Sequence, residues 1–120
     1  MKNQEQIDGS KALQWLEGDE KMFARIKTIF KKNVPAQVDQ LRGFLDAGDN
    51  SSTELIAHTI MGSSAMLGAS GMSDRAREIE CSAIQGDMNS ARLSFTDFIE
   101  EYEKVMAELG KEGKYEHPGG

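Results

Sequence analysis

Apolar residues recur at intervals of three and four along nearly the whole chain, and the apolar–polar alternation typical of strands is absent. This periodicity predicts an all-α protein. Short polar or glycine-containing stretches divide the pattern into a brief leading helix and four longer amphipathic helices. Because the connections between these helices are short, we expect an antiparallel up-and-down four-helix bundle with a short additional N-terminal helix.

Local signals predict where the first helices begin and end. The segment SKALQWLEG forms the short leading helix, which Gly18 ends, and Asp19 caps the second helix. Pro35 interrupts the second helix, but the apolar pattern continues beyond it to the turn AGDN. We therefore expect one long kinked helix rather than two.

Similar signals bound the remaining helices. The stretch SSTE predicts a capping box at the start of the third helix, with Ser51 at the cap and Glu54 three residues later. Ser73 is expected to cap the fourth helix, and the last helix is expected to start near residue 89. These helices place one domain at residues 8–110.

The two ends of the chain differ in composition from this bundle. Residues 1–7 and 111–120 are predicted to be flexible, since the tail GKEGKYEHPGG is polar and rich in glycine. His117 lies in that tail and is expected to be solvated.

The overall charge and cysteine content exclude several classes of function. A formal net charge of −6 argues against nucleic acid or an anionic membrane as the main partner. No apolar run approaches the roughly 20 residues of a membrane span, and no leader peptide is evident. Cys81 is the only cysteine, expected to be a buried free thiol, which favours the reducing cytoplasm. We expect a monomer.

The stretch AHTIMGSSAMLGA contains the only histidine of the helical body, His58. At 100° per residue, the residues on the same side of the third helix as His58 are Ser51, Glu54, Met61, Gly62 and Ala65. The opposite, core-facing side carries Thr53, Ile56, Ile60, Ser63, Ser64 and Leu67. His58 is therefore predicted to point away from the bundle interior.

Gly62 lies one turn after His58 on the same face. A glycine inside a helix costs roughly 1 kcal/mol relative to alanine, so its position requires a reason. One reason is access, because a large partner can then approach the imidazole. The other is close packing against a neighbouring helix.

The fourth helix should run antiparallel to the third, which places His58 opposite residues 80–84. Glu80 lies there, on the flank of the apolar stripe, next to Arg77. A carboxylate at this position can accept a hydrogen bond from one imidazole nitrogen and leave the other as a nucleophile. The alternative is that Glu80 is an ordinary solvated residue.

The pattern around His58 resembles the signature of the histidine-containing phosphotransfer (HPt) domain family, H-x-x-K-G followed by a second glycine six residues later. Here the signature reads His58, Met61 in the lysine position, Gly62 and Gly68. The segments WLEGDEKMFARIKTIFKKNVPAQVDQL and MSDRAREIE also resemble the helices of the family. The resemblance covers roughly residues 8 to 108.

This resemblance implies a phosphorelay intermediate built on a four-helix bundle. His58 would accept a phosphoryl group from an aspartyl phosphate on one receiver domain and pass it to another, with a hybrid histidine kinase as a further candidate partner. The receiver would bring Mg²⁺, so no cofactor is expected on this chain. Neither G-x-x-x-x-G-K-[ST] nor G-x-G-x-x-G occurs, so we expect no ATP-dependent kinase activity.

The expected docking residues are Glu54, Met61 and Ala65 on the third helix and Arg77 on the fourth. Met61 departs from the signature, because the family lysine is thought to offset phosphate charge. Arg77 is either a compensating cation or a solvated arginine.

Two alternative interpretations assign the chain a different class of function. The chain could be an HPt-like adaptor that docks a receiver or kinase without transfer, which the loss of the lysine favours and the retained His58 and Gly62 oppose. A metal site is also conceivable, since Glu54 and His58 are one turn apart, but the helical body offers no further histidine or cysteine ligand beside them.

Overall fold

The computed structural model describes residues 6–115, with side chains as far as residue 111. These residues form five helices and no strand. The helices are α1 (Gly9–Trp15), α2 (Glu20–Ala47), α3 (Asn50–Leu67), α4 (Ser70–Ile84) and α5 (Met88–Tyr115). Helices α2 to α5 each pack against the next, α5 also contacts α2, and the short α1 lies against α2 and α3. The predicted four-helix bundle with a short N-terminal helix is confirmed.

The start of α2 agrees with the sequence, whereas the start of α3 does not. Asp19 caps α2, because its carboxylate accepts the backbone N–H of Met22 at 3.0 Å. Gly48 ends α2 in the left-handed conformation, with φ of 70°. Asp49 is then extended and accepts the N–H of Ser52 at 3.1 Å, so Asp49 caps α3. The predicted cap at Ser51 is wrong, because a carboxylate two residues earlier already takes that role.

Helix α4 also begins earlier than predicted. It starts at Ser70, and its N-cap residue Ala69 makes no side-chain capping bond. Ser73 is buried, and its hydroxyl donates to the backbone carbonyl of Met61 on α3 at 3.1 Å. The predicted capping role of Ser73 is therefore wrong, and the residue instead joins α4 to α3.

One apolar core runs through the bundle. Its largest fully buried apolar side chains are Phe98, Leu41, Ile60, Leu67, Met72 and Ile79. Two polar residues of α3 lie in it: the Ser64 hydroxyl donates to the Ile60 carbonyl at 2.8 Å, and the Thr53 hydroxyl lacks a partner. Pro35 lies inside α2, which continues as a single helix on both sides of it.

Two features lie just outside residues 8–110, the bounds predicted for the bundle. Ile7 is buried in the core, and a carboxylate oxygen of Glu108 accepts its backbone N–H at 3.3 Å. At the other end, α5 continues to Tyr115. Residues 1–5 and 116–120, which include His117, lie outside the described part of the chain.

Two further properties bear on function. Cys81 is exposed, so the expectation of a buried thiol is wrong; it follows Glu80 on the outer side of α4. Among residues 6–115, no helix is both long and apolar enough to cross a membrane.

Candidate functional site

His58 lies on the outer side of α3, with 63% of its side chain exposed. Its Nδ1 is 2.9 Å from Oε2 of Glu80 on α4, and the Glu80 side chain is only 15% exposed. Since a carboxylate offers only acceptors, Nδ1 carries the proton and donates this hydrogen bond to Glu80. In the neutral imidazole the other ring nitrogen, Nε2, then has a free lone pair on a side chain that is mostly exposed.

The tight α3–α4 connection sets the position of Glu80. Gly68 ends α3 in the left-handed conformation with φ of 86°, and α4 begins two residues later. A side chain at Gly68 would also be blocked, because its Cβ would lie 2.5 Å from the backbone oxygen of Asp8. The second glycine of the signature thus makes the turn possible, and the turn brings His58 and Glu80 together.

Gly62 is exposed, one turn beyond His58. A Cβ added to it would meet no atom within 4 Å. Close packing against a neighbouring helix therefore does not explain this glycine. The open space above it is consistent with access to the imidazole.

The predicted docking residues are not equally accessible. Met61 is half-buried and packs against the core, although the helical angle places it on the same side of α3 as the exposed His58. It lies at the edge of α3 that faces α4, about 60° around the helix from His58. Glu54 and Ala65 are also half-buried, whereas Arg77 is exposed. Within residues 6–111, the Arg77 guanidinium makes no hydrogen bond or ion pair.

Three large apolar side chains near His58 were missed by the sequence reasoning. Leu55 is 70% exposed and Met66 47% exposed on α3, and Ile84 is 59% exposed one turn after Glu80 on α4. Helical geometry could have identified two of them as exposed, because Leu55 and Met66 lie about 60° and 80° around α3 from His58, outside the core-facing side. They are exposed apolar side chains on the two helices that carry His58 and Glu80.

No metal-binding cluster of histidine, cysteine, aspartate and glutamate exists among the described residues. Glu54 and His58 have no third ligand there. The metal-site interpretation therefore has no geometric support in this part of the chain.

A helical bundle that presents one oriented, exposed imidazole beside an open glycine defines a histidine-containing phosphotransfer domain. The family model of the Hpt domain matches residues 25–112. The chain belongs to the Hpt domain family.

A solved structure shows the same fold. The chain is similar to the crystal structure of histidine-containing phosphotransfer protein B (HptB) from Pseudomonas aeruginosa PAO1, with a TM-score of 0.83 and 21% sequence identity. The similarity covers 94% of this chain and 98% of that one. No curated protein matches the chain. Family membership supports a histidine phosphotransfer role in a phosphorelay, in which Hpt domains work with response-regulator receiver domains.

Proposed function

We propose that this protein is a phosphorelay intermediate in which His58 Nε2 carries the phosphoryl group. It would receive the group from an aspartyl phosphate on one receiver domain and deliver it to an aspartate on another. The observation that carries this proposal is the hydrogen bond between His58 Nδ1 and Glu80, which fixes the tautomer and leaves Nε2 unprotonated on a mostly exposed side chain.

The chemistry needs little from this chain beyond the positioned imidazole. The Nε2 lone pair attacks phosphorus, the P–O bond to the aspartate breaks, and the aspartate leaves as a carboxylate with the bonding electrons. The ring retains the Nδ1 proton and gains positive charge, which the Glu80 carboxylate offsets. The second receiver reverses these steps with its own aspartate.

Mg²⁺ belongs to the receiver in this scheme, where it would neutralise charge on the phosphoryl oxygens. This chain contributes the nucleophile, the Glu80 partner and an accessible surface. Gly62 keeps that surface open, and Leu55, Met66 and Ile84 are exposed on the same two helices. The chain acts as a monomer in the cytoplasm, either as a free protein or as part of a hybrid kinase.

A label-transfer experiment tests the proposal. The purified chain is mixed with receiver domains carrying ³²P from acetyl phosphate and Mg²⁺, and labelled protein is separated by gel electrophoresis. We expect an acid-labile, base-stable adduct that His58→Gln abolishes. His117→Gln alters the other of the chain's two histidines and should keep full labelling.

The same experiment also tests the adaptor alternative. One observation favours that alternative: Met61 stands where the family signature has a lysine. An adaptor would bind the receiver, as seen by calorimetry, without taking up label. Undiminished labelling of His58→Gln would instead reject His58 as the acceptor.

A further inference from the structure

A hollow with a volume of about 320 Å³ lies between α2 and α5, near the end of the bundle where α2 ends and α5 begins. It is lined by Arg42, Leu45 and Asp46 of α2 and by Arg92 and Phe95 of α5. These two helices contact each other less extensively than α2 contacts α3, α3 contacts α4 or α4 contacts α5, which leaves space between them. The volume is at the lower end of the range for small-molecule sites.

Arg92 is held at the edge of this hollow by hydrogen bonds to both helices. Its Nε donates to the backbone carbonyl of Leu45 at 3.1 Å, and its Nη1 donates to Oδ1 of Asn89 at 3.2 Å. The carbonyls of the last helical turn carry partial negative charge, which favours a cation at this point. A guanidinium has more N–H groups than these two bonds use, so Arg92 can also donate to a ligand.

Arg42 is positioned by an aromatic ring. Its guanidinium carbon lies 5.1 Å from the centroid of the Phe95 ring, a cation–π contact between α2 and α5. Within residues 6–111 Arg42 makes no hydrogen bond and no ion pair, not even with Asp46 one turn later on α2. All the N–H groups of Arg42 are therefore available to a ligand.

The two guanidiniums line one hollow without an acidic partner in the described part of the chain. The chain has 20 aspartates and glutamates against 14 lysines and arginines, so acidic partners are not scarce. Two cations at one hollow repel each other, and an anion between them replaces that repulsion with attraction. Asp46 is exposed at the same hollow but pairs with neither arginine. An external anion would supply the missing negative charge.

The rest of the lining is apolar. Leu45 is 2% exposed and Phe95 is half-buried, so apolar surface lies beside the two cations. A guanidinium matches two oxygens of a carboxylate or a phosphate, and the apolar surface is complementary to a hydrocarbon group. Inorganic phosphate would match only the charged part of this lining. The lining therefore fits an organic acid.

We propose that this hollow is a binding site for a small organic acid. Its carboxylate or phosphate group lies between Arg42 and Arg92, and its apolar part contacts Phe95. The site is separate from the phosphotransfer site, because His58 and Glu80 join α3 to α4 whereas the hollow lies between the other two long helices. The inference therefore does not depend on the proposed function.

An NMR titration of the nitrogen-15-labelled full chain tests the proposal. The probes are benzoate with its neutral analogue benzamide, and phenyl phosphate with inorganic phosphate, all at about 0.05 M NaCl. We expect benzoate and phenyl phosphate to shift the amide signals of Leu45 and Phe95 and the Nε–H signal of Arg92, with half-saturation at about 1–10 mM, as for a fragment-sized ligand. Benzamide should give no saturable shift, and the amide signal of His58 should not move.

Two substitutions in the hollow should change the affinity in opposite directions. Arg42→Gln should raise the half-saturating benzoate concentration about fivefold, because it removes one of the two charged donors. Asp46→Asn should lower it about twofold, because it removes the opposing negative charge. Arg25→Gln is the matched control on an exposed position of α2 outside the hollow and should have no effect. Arg42 makes no hydrogen bond, so its variant should keep the helix content that circular dichroism measures.

Several results would overturn the inference. Equal affinities in Arg42→Gln and Arg25→Gln, or saturable shifts with benzamide, would show that the arginines do not select an anion. Inorganic phosphate that binds as tightly as phenyl phosphate would show attraction to charge alone. Shifts with a glutamate-containing peptide, and none with the free acids, would assign the hollow to a protein partner instead. None of these results depends on whether His58 takes up a phosphoryl group.

Discussion

Glu80 of α4 accepts a hydrogen bond from Nδ1 of His58 on α3 across 2.9 Å, and only the imidazole of this pair is well exposed. The carboxylate therefore has two separable effects on phosphotransfer: it selects the tautomer, and it offsets the positive charge that the ring gains. Glutamine preserves the acceptor oxygen but removes the charge, whereas alanine removes both.

We accordingly predict a graded loss from substitutions of Glu80. Glu80→Gln should slow phosphotransfer severalfold and Glu80→Ala roughly tenfold or more, because the neutral imidazole then samples the wrong tautomer. Rates at saturating receiver check this, and nitrogen-15 NMR of His58 reports the tautomer directly. Glu78→Ala, two residues earlier on an exposed side of α4, is the control. Equal rates in Glu80→Ala and Glu78→Ala would show that Glu80 has no positioning role.

The second prediction concerns Gly62 and compares the stability of the fold with the access of a partner to His58. Because a Cβ there meets open space, Gly62→Gln should raise the free energy of unfolding by about 0.5–1 kcal/mol, as expected for a helix-interior glycine. Phosphotransfer should nevertheless slow, because the new side chain stands beside His58. Gly110→Gln, also a helical glycine with open space around it, should leave the rate unchanged. Faster or unchanged transfer in Gly62→Gln would mean that access is not its role.

Gly68 gives a third prediction, which concerns the fold alone. Alanine at Gly68 has a positive φ and also meets the backbone of Asp8, so we expect destabilisation of about 2–4 kcal/mol. Gly48→Ala shares the positive φ, but its nearest neighbour is the end of the flexible Arg92 side chain at 3.9 Å. It should cost only about 1 kcal/mol. Equal losses in urea denaturation would show that the close approach to Asp8 is unimportant.

The sequence predicted the bundle because four amphipathic helices and their short connections allow few other arrangements. The antiparallel relation of α3 and α4 followed from the same connections, and it correctly placed Glu80 opposite His58. Helix starts were predicted less well. Asp49 and Ser51 are both good N-cap residues, and the choice depends on Gly48 turning the backbone so that Asp49 is the first extended residue.

The exposure of individual side chains was also predicted less well, because it depends on how much of each helix is covered by its neighbours. Met61 lies near the seam with α4 and is half-buried, although the helical angle alone placed it with His58. Ile29 has the apolar character of a core residue, yet it lines an open groove between α2 and α3 and is 52% exposed. A change of some tens of degrees in the direction of a side chain decides whether a neighbouring helix covers it. That direction depends on packing and cannot be read from a single helical pattern.

A fourth prediction follows from the hydrogen bonds at the start of α5. The side chain of Ser90, and then its backbone N–H, donate to Asp87 and lower the pKa of that carboxyl. An aspartate whose pKa is lower in the folded state stabilises the fold above the unfolded pKa of about 3.9, and this contribution is lost as the pH falls through the folded pKa. Ser90→Ala should therefore flatten the decline of stability below about pH 4. Thermal unfolding at several pH values, with Ser94→Ala as the control, measures this; identical slopes would contradict it.

The last prediction concerns Met61, which stands where the family signature has a lysine. We predict that Met61→Lys accelerates phosphotransfer at low salt. The residue is half-buried at the α3–α4 seam, so the lysine stem can keep the apolar packing while its ammonium reaches the surface near His58. A charge about 5 Å from the phosphoryl group gains roughly 1–3 kcal/mol at an effective dielectric of 20–80. Screening should reduce this to about 1 kcal/mol, or about fivefold in rate.

Arg77 decides how that result is interpreted, because it is exposed and has no partner among residues 6–111. If Arg77 already supplies the missing cation, Met61→Lys will speed transfer only when combined with Arg77→Ala. If the receiver instead presents an apolar surface to Met61, the lysine will slow transfer in both backgrounds. Rates at saturating receiver are required, since a charge that stabilises docking and transition state equally alters only the half-saturating concentration. A gain in both backgrounds that disappears at about 0.5 M salt is the outcome expected for a direct electrostatic effect.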